Sequence, residues 1–151
     1  MRAATDLVLT STEAGVTTVT MNRPEALNAL SAGLRNRLTE VFTDLTEDSA
    51  TEVIIFTGKG RAFTVGLDLK ELGGETAADT VVSKDLGKAM LNVNKPIIGA
   101  INGYAITGGF ELALLCDFML ASEHAKFADT HARVGVVPGW GLSQRLPRLI
   151  G

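Results

Sequence analysis

In the stretch "NGYAITGGFELALLCD", Asn102 to Asp117, two adjacent glycines, Gly108 and Gly109, precede a run of helix formers that carries one acid, Glu111. A carboxylate at an apolar helix start is suited to moving a proton, and a positioned acid or base contributes about 10²–10⁴ in rate. The simplest alternative is an acid placed in the first turn to meet the helix macrodipole, worth ~0.3–1 kcal/mol. The glycines add a second chemistry. Lacking a Cβ, Gly66, Gly108 and Gly109 let the backbone approach a ligand closely and turn N–H groups toward it. Two such donors can hold one oxygen that gains negative charge during a reaction, such as a thioester carbonyl becoming an enolate. The competing reading for either loop alone is that its glycines pack a helix against a sheet.

Other chemistries find less support. The turn "FTGKGRAF" begins like a dinucleotide fingerprint, but Phe63 stands where the third glycine belongs, and "TVGLDLKEL" adds a second turn before any helix. The two histidines, His124 and His131, and the single cysteine, Cys116, form no pair at ligand spacing, so no metal site is expected. No G-x-S-x-G elbow occurs. The net charge of -3 comes from scattered charges without a Lys/Arg cluster, which argues against a nucleic-acid partner. Cys116 lies in an apolar run and reads as a small buried hydrophobe in a reducing compartment, the cytoplasm. The longest apolar region, Phe110 to Ala121, contains Glu111 and Asp117 and is too short to span a bilayer.

Periodicity supplies the elements that must position these residues. At 151 residues the chain is the size of one domain, 1–151, able to bury roughly 70% of its unfolded surface. Leu7 to Thr10 and Val16 to Met21, separated by "STEAG", read as a β-hairpin. Leu34, Leu38, Val41, Phe42 and Leu45 recur at helical spacing, which predicts a helix from Ser31, its cap, to about Glu47. "VIIF", Val53 to Phe56, reads as a strand buried on both faces. A second helix carries Val82, Leu86, Ala89, Met90 and Val93 on one face; "KPIIGAI" then returns as a strand, "ELALLC" as a helix and "DFMLA" as a strand. The alternation implies a largely parallel α/β arrangement with ligands beyond the carboxyl ends of strands. No internal sequence repeat is visible.

Four segments, "MNRPEALNAL", "RAFTVGLDLKEL", "NGYAITGGFELALLCD" and "VVPGWGLSQRL", follow one another in an order and spacing that resembles the enoyl-CoA hydratase/isomerase family, also called the crotonase family. The resemblance covers practically the whole chain and corresponds to the N-terminal part of the family chain. It implies a spiral of repeated ββα units, an acyl-CoA substrate, no cofactor beyond the coenzyme A of that substrate, and an oxyanion hole for the thioester oxygen. By position it assigns the hole donors to the backbone N–H groups of Leu67 and Gly108, and substrate binding to Arg61, Asp68 and Lys70, of which Arg61 and Lys70 can meet phosphates as cations. It makes Glu111 one of two carboxylates acting on water and on the substrate α and β carbons.

The sequence departs from the family at the second carboxylate. Twenty residues after Glu111, in "FADTHARVGVVPG", stands His131. An imidazole both gives and takes protons near neutral pH, so His131 is the candidate partner of Glu111. Asp129 is placed to orient His131 or to substitute for it, or else to bond its own backbone as loop aspartates do. The family's helical C-terminal region, which completes the acyl pocket and builds a trimer or hexamer, is absent, and "LPRLIG" stops within a helical pattern. A piece of a longer product is therefore expected, with a shortened paralogue as the alternative, and the resemblance implies a homo-oligomer. The leading functional reading is addition of water to 2-enoyl-CoA to give 3-hydroxyacyl-CoA, with isomerisation and thioester hydrolysis as related outcomes. A non-catalytic acyl-CoA-binding protein and a nucleotide-binding α/β domain are the alternatives.

Overall fold

The computed structural model describes residues 7–72 and 85–151. It opens with an antiparallel hairpin, β1 (Val8–Glu13) and β2 (Val16–Met21), in which Val8 faces Met21 and Glu13 faces Val16. Only Ala14 and Gly15 form the turn, both with positive φ. A two-residue turn of this hand matches the strand twist. It lets β1 run three residues beyond the Thr10 boundary expected from apolar character, because an exposed edge strand pairs through its backbone whatever its side chains.

After β2 the chain makes α1 (Ala32–Glu47), capped as expected by Ser31, whose Oγ accepts the Leu34 N–H at 3.2 Å. Leu34, Leu38, Val41, Phe42 and Leu45 are all buried. Phe42 meets Phe56 edge-on at 5.2 Å, and Phe56 meets Phe63 at 5.1 Å, so the aromatic centre of the core links α1 to both sheets. Full burial of such side chains stabilises by about 1.5–3 kcal/mol each.

The strands then come in pairs. β3 (Val53–Gly58) is followed by β4 (Ala62–Thr64), β5 (Ile97–Ile101) by β6 (Tyr104–Ile106), and β7 (Phe118–Ala121) by β8 (Lys126–Ala128). The first member of each pair joins a five-stranded sheet ordered β1-β2-β3-β5-β7; the second joins a three-stranded sheet ordered β4-β6-β8, parallel throughout. Helices close each turn of this spiral: α2 (Leu69–Leu72) and α3 (Leu86–Leu91), then α4 (Gly108–Leu115), then α5 (His131–Val134) and α6 (Leu142–Ile150). The repeat of ββα units is thus structural. Strands as short as "AFT", "YAI" and "KFA" carry too few residues to show any period in sequence, and all three escaped the reading from periodicity.

A further difference concerns β3. β3 buries Ile54, Phe56 and Gly58 fully but leaves Val53, Ile55 and Thr57 half-buried, so one face only is sealed. The glycine turn "GKG" leads into β4, a strand, and not into the helix that a dinucleotide fold would place there. Of the second predicted helix, Leu86, Ala89 and Met90 are buried on α3, with Asp85 capping it through the Lys88 N–H; Val82 lies outside the described residues. Among the described residues no helix is long and apolar enough to cross a membrane.

Candidate active site

The loop between β4 and α2 and the start of α4 touch backbone to backbone. Gly66 has φ +85°, and a Cβ there would lie 2.9 Å from the Ile106 carbonyl and 3.0 Å from the Gly108 nitrogen. At Gly109 a Cβ would fall 2.0 Å from the Thr64 carbonyl. Only glycine permits these approaches. Gly108 is the first residue of α4, so its N–H has no partner within the helix. Leu67 forms a parallel bridge with Leu30 in which Leu30 donates to the Gly66 carbonyl at 2.8 Å and accepts from the Asp68 N–H at 3.4 Å. In such a bridge the N–H of the central residue, Leu67, points to the other side.

Buried polar residues hold this geometry. Asn28, wholly buried and at φ +55°, donates through Nδ2 to the carbonyls of Lys59, Ala62 and Phe63 and accepts the Arg23 N–H at 2.8 Å. Thr64 Oγ1 donates to the Asn28 carbonyl at 2.7 Å and accepts the Gly66 N–H at 3.2 Å. Thr107, immediately before α4, adopts φ +56°, ψ -115°, a strained conformation for a β-branched residue. It is retained by its N–H to the Ala128 carbonyl at 2.8 Å and by a hydroxyl–hydroxyl hydrogen bond to Thr130.

Glu111 and His131 meet beside these loops. Glu111 is 2% exposed and His131 4%. Glu111 Oε1 accepts the Trp140 N–H at 2.8 Å and the Leu142 N–H at 3.2 Å, while Oε2 lies 3.2 Å from His131 Nε2. On the other side of the ring, Nδ1 lies 2.6 Å from Asp129 Oδ1, which also accepts the His131 N–H at 3.0 Å. The His131 backbone N–H and ring hold the Asp129 carboxyl below the usual aspartate range, against a smaller opposing effect of burial. With Nδ1–H given to Asp129, the Nε2–Oε2 contact requires one proton, carried either by the imidazole or by Glu111. The arrangement can therefore share one proton between a carboxylate and an imidazole.

A cavity of about 600 Å³ opens onto the pair, with Leu67, Gly108, Glu111, His131 and Trp140 in its wall. Arg35 of α1 also reaches the wall; burial lowers its guanidinium from the ordinary value and the Glu71 charge opposes that. The expected substrate-binding residues Arg61, Asp68 and Lys70 are not among those lining the cavity. Arg61 is exposed in the β3–β4 turn, and Lys70 is exposed on α2. Asp68 pairs with Arg23 at 2.6 Å and accepts the Lys70 N–H at 3.1 Å. Burial raises the Asp68 carboxyl, but the Arg23 hydrogen bond, the Lys70 amide and their charges outweigh it and leave it below the usual range. His124 is exposed beside Glu123. Cys116, expected to be buried, is half-buried against the core, where desolvation, aided by Asp117, pushes its thiol up to about 12. Among the described residues no group of three His, Cys, Asp or Glu side chains could hold a metal.

Periodicity gave no sign of Arg35, Asn28, Thr107 or the Trp140 and Leu142 amides. The glycines in "PGWGL" were the one available signal that the Trp140 backbone approaches something closely.

Comparison with known proteins adds independent findings. The family model described as enoyl-CoA hydratase/isomerase matches residues 11–151. A probable peroxisomal enoyl-CoA hydratase of Arabidopsis thaliana is 49% identical over 144 residues, covering 91% of this chain and 52% of that protein. Among solved structures, an enoyl-CoA hydratase of Mycobacterium tuberculosis H37Rv superposes with TM-score 0.83 at 51% identity, over 95% of this chain and 60% of that one. One from Bacillus anthracis does so with TM-score 0.89 at 37% identity, over 96% and 58%. The chain spans about half to three-fifths of the length of the relatives it matches.

Proposed function

The chain belongs to the enoyl-CoA hydratase/isomerase family, and from that premise we propose that its residues form the acyl-CoA-binding core of a lyase. The enzyme adds water to a 2-enoyl-CoA and yields the 3-hydroxyacyl-CoA. The thioester oxygen sits between the N–H groups of Leu67 and Gly108. As water attacks Cβ, negative charge moves onto that oxygen, and each preorganised donor there is worth about 2.7–4 kcal/mol. Glu111 and His131 take one proton from the water and return one to Cα. Water thereby contributes its hydroxyl to Cβ and a hydrogen to Cα, and the pair ends with the single proton it began with. No other cofactor enters. Arg61 and Lys70, both exposed, meet the phosphates of coenzyme A as cations. Asp68 acts on substrate indirectly, by fixing the loop through Arg23.

The observation that carries this reading is the 3.2 Å contact between two nearly inaccessible acid–base groups at the wall of one cavity. Loss of the crotonyl-CoA double-bond absorbance in the intact protein tests it, with Glu111→Gln as control. Turnover abolished by that substitution is expected. Acyl-CoA binding without turnover would make the protein a binder, and NAD binding without coenzyme A binding would overturn the family chemistry.

The same reading extends to assembly and compartment. Phe118 and Leu120 on β7 and Leu149 and Ile150 on α6 are exposed apolar side chains, and self-association into a homo-oligomer, a trimer or hexamer, covers them. The compartment is a reducing one, the cytoplasm in the simplest case. The Arabidopsis relative is named peroxisomal, and localisation of a tagged intact protein distinguishes the two.

A further inference from the structure

We propose that Asp129 is a positioning residue, whose carboxylate fixes the orientation and tautomer of His131 so that Nε2 is the ring atom presented to Glu111 and to substrate. The proposal rests on the reading of Glu111 and His131 as the acid–base pair. A loop aspartate bonding only its own backbone would be satisfied by the 3.0 Å bond from the His131 N–H. Here the same Oδ1 also takes the ring Nδ1 at 2.6 Å, so backbone and ring of one residue are held by one oxygen. A flipped ring would turn carbon atoms toward both Asp129 and Glu111 and lose both contacts.

The loop carrying Asp129 is itself fixed on either side. Ala128, which ends β8, accepts the Thr107 N–H at 2.8 Å, and Thr130 is tied to the Thr107 hydroxyl. The segment that orients the imidazole is therefore fastened to the residue preceding Gly108, and the proton-transferring group keeps its distance from the amide that opens α4. The Asp129 side chain is 44% exposed, in contrast to the sealed ring it holds. A group so open to water adds little to stability. Its removal is felt at the ring.

The charged and titratable groups around His131 are Asp129 on its own loop and Glu111 on α4, with Arg35 of α1 and Asp85 before α3 in the same cavity wall. Removing the Asp129 anion disfavours imidazolium, so any limb of the rate profile due to the imidazole moves to lower pH. Replacing Asp129 by Asn removes the charge but keeps an oxygen that can accept from Nδ1–H; replacing it by Ala removes both.

The experiment is nitrogen NMR of the His131 ring, combined with pH-dependent hydration kinetics, on the intact protein and its Asp129→Asn and Asp129→Ala variants. The expected parent holds a proton on Nδ1 throughout neutral pH. In Asp129→Ala the neutral ring populates the Nε2–H tautomer, kcat falls about 10²-fold with KM unchanged, and the imidazole limb moves to lower pH. In Asp129→Asn the limb moves while the Nδ1–H tautomer and more of kcat are retained. Parent-like tautomer, kcat and pH profile in both variants would reduce Asp129 to a loop aspartate and overturn the proposal. A parent with no turnover overturns the hydratase reading, yet the NMR still decides what Asp129 does to the ring. Should Asp129→Ala fail to fold, the Asn variant gives the same decision through its profile.

Discussion

The two halves of the site are built from opposite materials. At the junction of β6 and α4, Tyr104 to Leu115, the backbone itself forms the packed surface: Gly109 presses against the Thr64 carbonyl, and Gly108, Gly109 and Glu111 are buried. Across the cavity, from Asp129 to Ile150, most residues are exposed, and only His131 and Leu142 are buried. There hydrogen bonds to Glu111 and between His131 and Asp129 set the geometry, with the Trp140 ring packed against Gly87 and Gly108. In the proposed reaction, the tightly packed backbone face holds the donors that must not move as charge develops. The open side carries His131, whose ring Nδ1 lies 2.6 Å from the Asp129 carboxylate.

The largest effect expected is on the groups where the two halves meet. Glu111→Gln should cut hydration about 10²–10⁴-fold, and His131→Ala should do the same, read as kcat with crotonyl-CoA. Gly66→Ala sharpens the contrast on the packed side, because its Cβ would crowd the Gly108 nitrogen from a backbone already at positive φ. A loss of about 10²–10³ in kcat is expected, comparable to removing one oxyanion donor. Gly109→Ala, whose Cβ would fall 2.0 Å from the Thr64 carbonyl, should destabilise the fold by about 3 kcal/mol in denaturant unfolding. Gly135→Ala on the open side meets nothing within 4 Å, and only its φ of +69° opposes it, at a cost of about 1 kcal/mol. Equal costs at 109 and 135 would break the comparison.

The smallest effect concerns acid stability. The folded Asp129 carboxyl lies below its unfolded value, so its contribution is present above the ordinary aspartate value of about 3.9 and is lost as pH falls through the lower folded value. Asp129→Asn should therefore flatten that part of the stability profile and lower the neutral plateau by the small amount the carboxylate contributes, as pH-dependent thermal unfolding would show.

How much of this was legible in the sequence follows the same division. The α1 face from Leu34 to Leu45 was readable because five apolar residues at helical spacing outweigh any local ambiguity. The paired glycines named the packed side, since close backbone approach leaves a mark in residue type. β4, β6 and β8 left none, being three residues each and held by backbone pairing. On the open side, His131 became visible only because the family resemblance places a second carboxylate twenty residues after Glu111. The Trp140 and Leu142 amides that fix Glu111 left no mark beyond the neighbouring glycines of "PGWGL", because any residue except proline supplies an N–H. Asn28, one asparagine in a turn, shows nothing in sequence of the three carbonyls it gathers.

The central claim is that Glu111 and His131 act as one proton-holding unit on a bound enoyl thioester. Its most direct test is a double-mutant cycle in the intact protein, comparing kcat for crotonyl-CoA hydration in Glu111→Gln, His131→Ala and the combined variant. Groups that act as a unit are strongly non-additive. The account predicts that each single substitution removes most of the activity and that the double variant loses little more. Losses that multiply in the double variant, or a parent rate equal to buffer with both short and long enoyl-CoA substrates, would contradict it.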